Sequence, residues 1–170
     1  MRKRHRAGWM IFGLVVVICG CLAVPMVAQE GEKAKDNPLV HATFVGNGKE
    51  ANLQYALVIN RDPWQDERSY IIIVSEKDPA SGDNPEFDAM FGRLGHSLTF
   101  DITESGDLFG TQVCHQGMEK KSISSIGNTE VKDFKIANGR LSVRFVMPEE
   151  HEFFGDTWIY DVKIDAPLPK

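Results

Sequence analysis

A two-residue alternation of apolar and polar side chains recurs from residue 39 to residue 167, and this period is typical of β-strands. In residues 96–103, for example, Leu98, Phe100 and Ile102 are apolar while the residues between them are polar. Strands with this pattern bury one face and expose the other. The chain is therefore predicted to fold mainly as antiparallel sheet.

Turn signals divide this region into short strands. Gly46-Asn47-Gly48, residues 104–107 and Asn138-Gly139 each favour a tight turn, and the last is the strongest hairpin signal in the chain. About eight or nine strands with turns between them are typical of an antiparallel β-sandwich, and a closed β-barrel is the alternative. The predicted strands are residues 39–45, 52–60, 69–75, 96–103, 108–116, 122–126, 129–137, 141–147 and 153–167.

The pattern also predicts which side chains face the core. Residues 69–75 are apolar on both faces, which predicts a central, buried strand. In the predicted strand 52–60 the inner face is expected to carry Leu53, Tyr55, Leu57 and Ile59. In the predicted strand 153–167 it is expected to carry Phe154, Trp158, Tyr160, Val162 and Ile164.

One short helix interrupts the strands. Asn84 can cap it, Pro85 suits its first position and Gly95 can end it. Helical spacing then predicts a stripe that packs on the sheet, formed by Phe87, Met90, Phe91 and Leu94.

The N-terminus has the form of an export leader. Arg2, Lys3, Arg4 and Arg6 precede residues 7–28, none of which carries a formal charge. Cleavage after Ala28, retention as a signal anchor and lipidation at Cys21 all remain open, and all three place the rest of the chain outside the cytoplasm, in the periplasm or beyond. The expected organisation is a leader (1–28), a polar linker (29–38) and a β-sandwich (39–168).

The charge balance limits the partners. Of the 19 basic residues four lie in the leader, and none of the 24 acidic residues does, so the exported part has a net charge near −9. Nucleic acids and anionic membranes need a basic surface, so both are excluded as partners. Membrane contact is expected only through an uncleaved or lipidated N-terminus. Cys114 is the one cysteine beyond the leader and is expected to be a buried small side chain.

Trp64 lies in a polar segment, residues 61–68, that is predicted to be a loop. An exposed tryptophan there can stack on a sugar or a peptide side chain, or it can fold back as a lid over the core.

Two acidic segments are candidate metal sites. Asp78, Asp83, Glu86 and Asp88 offer oxygen ligands for calcium, although their spacing lacks the pattern of a calcium-binding loop. Glu149, Glu150, His151, Glu152 and Asp156 offer ligands for a transition metal, with a single histidine among them. Solvated turns and helix caps explain both segments equally well.

Nucleophilic catalysis has little support. No G-x-S-x-G elbow is present, and Cys114 and His115 are adjacent, which on a strand points them to opposite faces. No catalytic residue is predicted.

The end of the chain, Glu152-Phe-Phe-Gly-Asp-Thr-Trp-Ile-Tyr-Asp, resembles a group of uncharacterised small exported all-β proteins of environmental bacteria, as do residues 40–44 and 55–57. The resemblance implies a bacterial exported protein and implies no active site.

These observations favour an exported, non-catalytic binding or scaffold module of the cell envelope that uses three loops at one end, residues 62–68, 78–85 and 149–156. Its ligand or protein partner is not specified by the sequence, and Trp64, His151 and Asp156 are the candidate binding residues. Two alternatives remain: a metal-assisted hydrolase built on residues 149–156 with His151, and a carbohydrate-binding module that uses Trp64.

Overall fold

The computed structural model describes residues 37–124 and 128–170, and most of these residues form strands. Two antiparallel sheets face each other without closing into a barrel, which confirms the predicted all-β sandwich. The predicted leader, with its cleavage, anchor and lipidation alternatives, and residues 29–36 of the predicted linker lie outside the described residues. Within the described residues no helix has both the length and the apolar character that a membrane crossing requires.

The described part of the chain contains eleven strands: β1 (Leu39–Gly46), β2 (Lys49–Glu50), β3 (Tyr55–Trp64), β4 (Glu67–Ser75), β5 (Ser97–Thr103), β6 (Leu108–Cys114), β7 (Ser122–Ser124), β8 (Glu130–Ala137), β9 (Arg140–Val146), β10 (His151–Phe153) and β11 (Asp156–Pro167). The count exceeds the nine predicted strands by two, because β2 and β10 have only two or three residues, too few to show a period. A 3₁₀-helix (Pro79–Ser81) and one α-helix, α1 (Pro85–Met90), lie between β4 and β5.

The first sheet has the order β2-β1-β11-β9-β8, with β10 also paired to β11. The second sheet has the order β3-β4-β5-β6-β7. Their strands cross rather than run side by side. Pro38, before β1, lines a hollow with Tyr55 at the start of β3, whereas Asn47, after β1, donates to the Gly117 carbonyl beyond β6 at the same end of the second sheet.

The main core fills the space between the sheets. The rings of Phe100 and Phe145 stack across it with centroids 3.8 Å apart, and Tyr160 meets Phe100 edge-on. The predicted inner residues of β5 and of most of β11 are buried here, namely Leu98, Phe100, Ile102, Trp158, Tyr160, Val162 and Ile164. Phe154 is the exception, because it lies in the turn before β11 with a positive φ and is 71% exposed.

A second, smaller core covers the outer face of the second sheet. Ile71 and Ile73 of β4 pack there against Ala89 and Leu94, with Ile59 beside them. The prediction that residues 69–75 are buried on both faces is therefore confirmed.

Leu53, which precedes β3, is buried in the main core as predicted, but the second core explains a wrong prediction within β3 itself. Ala56 and Val58 face the main core, whereas Tyr55 is 39% exposed and Ile59 belongs to the outer cluster. Because both faces of β3 are partly apolar, the alternation could not identify the inner one. The predicted loop 61–68 is also mostly strand, and its turn is Gln65-Asp66, where both residues have positive φ.

The helix begins as predicted, with Asn84 accepting the Phe87 amide and Pro85 in the first turn, but its predicted stripe is wrong. Of the four residues only Leu94 is buried, while Phe87, Met90 and Phe91 are 41%, 37% and 61% exposed. The helix ends at Met90, and in so short a helix Ala89 alone fills the buried side.

The three loops expected at one end do not meet. Residues 62–68 and 78–85 lie at opposite ends of β4. Residues 149–156 are on the side of residues 78–85, since Asp156 contacts the loop that follows β6.

Candidate functional site

Trp64 lies at the end of β3 and is 46% exposed. Its ring stacks on Phe109 with centroids 4.6 Å apart and an angle of 3° between the planes. Phe109 is the unpaired residue of a β-bulge, because Asp101 of β5 pairs with Gly110 and Ile102 pairs with Leu108. A bulge redirects the side chain that it leaves unpaired. The bulge in β6 thus places a second ring beside Trp64.

This aromatic pair borders a hollow of about 280 Å³ on the outer face of the second sheet, which we call the Trp64 depression. Its floor is formed by β5 and β6, with Thr99, Asp101 and Gln112, and Glu86 of α1 stands at its wall. An adjoining hollow of about 460 Å³ shares Arg61, Trp64 and Glu86 with it and includes Asp62. Together the two hollows form a broad surface site around one exposed tryptophan.

Arg61 joins the two acids of the depression. Its Nη1 lies 2.9 Å from Asp101 Oδ1 and 3.3 Å from Glu86 Oε1. Burial raises the pKa of Asp101, Arg61 opposes that rise, and the negative charge of Glu86 adds to it. The depression therefore holds two carboxylates close to a single guanidinium.

Gly110 makes room for this arrangement. A Cβ at that position would lie 2.1 Å from Asp101 Oδ2. Any larger residue would displace the Asp101 carboxylate. The glycine therefore belongs to the site although it offers no side chain of its own.

Asp156, a predicted binding residue, is fully buried and already hydrogen-bonded. Its Oδ1 accepts the Asn47 side-chain amide and the Glu119 backbone amide, each at 2.8 Å, and its Oδ2 accepts the Lys120 amide at 2.9 Å. Burial alone would raise the pKa of Asp156, but the hydrogen bonds and the Lys120 charge outweigh it and lower the pKa. In this structure the carboxylate joins loops.

The residues of the hydrolase alternative do not converge with Asp156. The His151 ring packs edge-on against Trp158 with centroids 4.7 Å apart, and its Nδ1 is hydrogen-bonded to Asn128. The other acids of the segment, Glu149, Glu150 and Glu152, are exposed.

The predicted calcium ligands are engaged within the chain. Asp78 caps the 3₁₀-helix by accepting the Ala80 amide, Glu86 pairs with Arg61, and Asp88 pairs with Arg93 at 3.0 Å. Asp83 is exposed. In residues 37–124 and 128–170 no three or more His, Cys, Asp or Glu side chains are grouped so as to hold a metal ion.

The side chains of Cys114 and His115 contact different parts of the structure, as expected of neighbours that point to opposite faces of a strand. Cys114 is buried, with Sγ 3.9 Å from the Gly95 carbonyl, and burial raises the pKa of its thiol. His115 is also fully buried and accepts the Gly117 amide at Nδ1, 3.0 Å away. Burial, together with a smaller effect of the neighbouring His96, lowers the pKa of His115 to about 4. The imidazole is thus neutral near pH 7.

A further hollow of about 460 Å³ lies along the edge strand β3. Pro38, Tyr55 and Pro167 are among its walls, and Asp78 is the only charged residue among the described residues that line it. The Trp64 depression combines an exposed tryptophan ring with several charges, and it is therefore the stronger candidate.

Sequence reasoning identified Trp64 but missed Arg61, Asp101 and Phe109, and it assigned Glu86 to a calcium site. One signal was available for Asp101, whose place in the alternation of β5 predicts an outward side chain. Nothing in the local pattern marks the bulge at Phe109.

Comparisons with family models, with curated proteins and with solved structures find no match for the chain. What it does must be argued from its own geometry.

Proposed function

We propose that the protein is an exported, non-catalytic carbohydrate-binding module of the cell envelope, and that the Trp64 depression is its binding site. The observation that carries the proposal is the Trp64–Phe109 stack beside the Arg61–Asp101 pair.

The chemistry of a sugar ring suits this combination. A pyranose has an apolar C–H face and a rim of hydroxyl groups, so a flat aromatic surface binds the face while charged side chains bind the rim. Trp64 provides the flat surface. Asp101 accepts hydrogen bonds from hydroxyls, and charge-assisted bonds of this kind are stronger than neutral ones.

The surroundings of the site support recognition rather than catalysis. Both carboxylates of the depression are paired with Arg61, an arrangement that holds them in place. Asp101 lies on β5 and Glu86 on α1, and the regular backbone hydrogen bonds of these elements hold both residues in position. The depression is also open along the sheet and shares a wall with the adjoining hollow, a shape that suits several linked sugar units.

Polysaccharides occur in the compartment that the sequence leads us to expect for this site. The N-terminal leader is expected to export the sandwich, and the net charge near −9 of the exported part disfavours nucleic acids. A cell-envelope glycan agrees with both expectations.

The proposal is tested by screening the full-length protein, kept in mild detergent, against an array of neutral, amino and acidic oligosaccharides. Affinities for the binding glycans are then measured by calorimetry and by tryptophan fluorescence. Binding should quench Trp64, which is 46% exposed, and leave the buried Trp158 unaffected. Trp64→Ala should weaken binding about tenfold or more, since truncating an aromatic residue at the centre of a binding site costs on the order of 2 kcal/mol or more.

Phe154→Ala is the matched control. Phe154 is another exposed aromatic side chain, but it lies in the turn before β11, away from the depression. Its loss should leave the affinity unchanged. If no glycan binds, or if both variants bind like the wild type, the proposal is wrong.

A further inference from the structure

We infer that the Trp64 depression selects carbohydrates whose units carry a protonated amino group, as oligomers of glucosamine do. This inference rests on the proposed function and specifies its ligand class.

The first argument is the charge of the site. Among the described residues that line the depression, the charged ones are Arg61, Glu86 and Asp101. The adjoining hollow adds Asp62. Three acids and one base thus surround Trp64, and this surface attracts a cation and repels an acidic sugar.

The second argument is the unused hydrogen-bonding capacity. Arg61 contacts one oxygen of each carboxylate, Asp101 Oδ1 and Glu86 Oε1, through the same nitrogen. Among the described residues, no donor bonds to the second oxygen of either carboxylate. An ammonium group has three donors and a positive charge, so it can bond to these oxygens and also balance the excess negative charge.

A neutral sugar fits less completely. Its hydroxyls can donate to the same oxygens, but the negative charge of the depression remains. The raised pKa of Asp101 agrees with this view, because burial disfavours the charged carboxylate and the negative charge of Glu86 adds repulsion. A nearby cation relieves that repulsion.

A lysine side chain of a protein partner carries the same ammonium chemistry. The aromatic pair favours the sugar, because Phe109 packs on one face of the partly exposed Trp64 ring and leaves the other face to stack on a sugar ring. The experiment distinguishes the two sources.

Binding of the full-length protein to a glucosamine hexamer is compared by calorimetry with binding to the N-acetylglucosamine hexamer, near pH 5.5 where the free amines are protonated. The two ligands have the same length and linkage, and they differ in the N-acetyl group that removes the charge of each amine. The glucosamine hexamer should bind about tenfold or more tightly, as expected for a charge-assisted bond, and added salt should reduce the difference. A hexalysine peptide should bind more weakly than the glucosamine hexamer.

Asp101→Asn should remove most of the preference while the N-acetylated hexamer still binds. Glu86→Gln changes a more exposed acid and serves as the second test if Asp101→Asn does not fold, as judged by its thermal transition. Glu130→Gln, an exposed acid of β8 in the other sheet, should bind like the wild type.

Equal affinity for the two hexamers overturns the inference and leaves the proposed function intact. So does a preference that survives in both Asp101→Asn and Glu86→Gln. Tighter binding of hexalysine assigns the site to a protein partner. If neither hexamer binds, the inference is wrong, and the Trp64→Ala test on other glycans decides the proposed function separately.

Discussion

The side-chain amide of Asn47 donates a hydrogen bond of 2.8 Å to the carboxylate of Asp156, 109 residues away in the chain. Asn47 Oδ1 in turn accepts the Thr157 amide, and the same carboxylate accepts the Glu119 and Lys120 amides. Asn47 follows β1, Asp156 begins β11, and the two amides belong to the loop after β6. One buried charge therefore joins both sheets.

Replacing Asp156 with Ala should lower the free energy of unfolding by about 2–4 kcal/mol, because three donors lose their buried acceptor at once. Urea denaturation measures the change. Asp83→Ala removes an exposed acid and should change the stability by less than about 0.5 kcal/mol. Equal effects of the two substitutions would show that the Asp156 hydrogen bonds contribute nothing to folding.

The buried His115 should make stability depend on pH. Its pKa is lowered from 6.5 to about 4 in the folded protein, so between these values the unfolded chain binds a proton that the folded chain does not. The stability that the neutral His115 contributes is complete above pH 6.5 and is lost as the pH falls to about 4. The free energy of unfolding should change by up to about 1.4 kcal/mol per pH unit in this range.

Urea midpoints measured across this range test the dependence. His115→Gln should flatten the slope, whereas His41→Gln, at an exposed position of β1, should preserve it. A slope that His115→Gln leaves unchanged would assign the pH dependence to other groups.

Gly46 should not tolerate a side chain. A Cβ there would lie 2.5 Å from Cγ of the His115 ring, and both groups are buried. Gly46→Ala is expected to destabilise the protein by about 1–3 kcal/mol through overpacking. The double variant Gly46→Ala, His115→Ala should lose less stability than the sum of the single variants, because the smaller residue frees the space. Additive losses would contradict the contact.

Calcium and chelators should leave the melting temperature unchanged. Asp78, Glu86 and Asp88 each bond to a group of the chain itself, so a calcium ion would have to displace these contacts. Thermal melting with excess calcium, and again with a chelator, measures the effect. A calcium-dependent increase in the melting temperature would support the calcium site in residues 78–88, because an ion that binds only the folded state stabilises it.

Local patterns predicted much of the fold. The hairpin at Asn138-Gly139 forms with φ of 53° and 73°, the left-handed pair that these two residues adopt easily. Leu98, Phe100 and Ile102 are buried as their alternation predicts. These predictions succeeded because a turn or a one-sided strand depends on residues close together in sequence.

Other predictions were wrong because the pattern allowed either face of the strand or helix to be the buried one. The alternation in β3 was assigned to the wrong face, because the outer face also packs against apolar residues such as Ile71. Phe87 and Phe91 have helical spacing, yet both are exposed because the helix ends at Met90. Which side of an element is buried depends on what lies opposite it.

The sequence by itself determined an all-β chain with its turns and central strand, and it predicts the export leader, because these features depend on local periodicity and charge. The tertiary structure alone decided the site. Trp64, Asp101 and Phe109 come from three different strands, and only the pairing of those strands and the bulge in β6 bring them together. Such proximity depends on strand register between distant segments, and no local pattern in the chain encodes it.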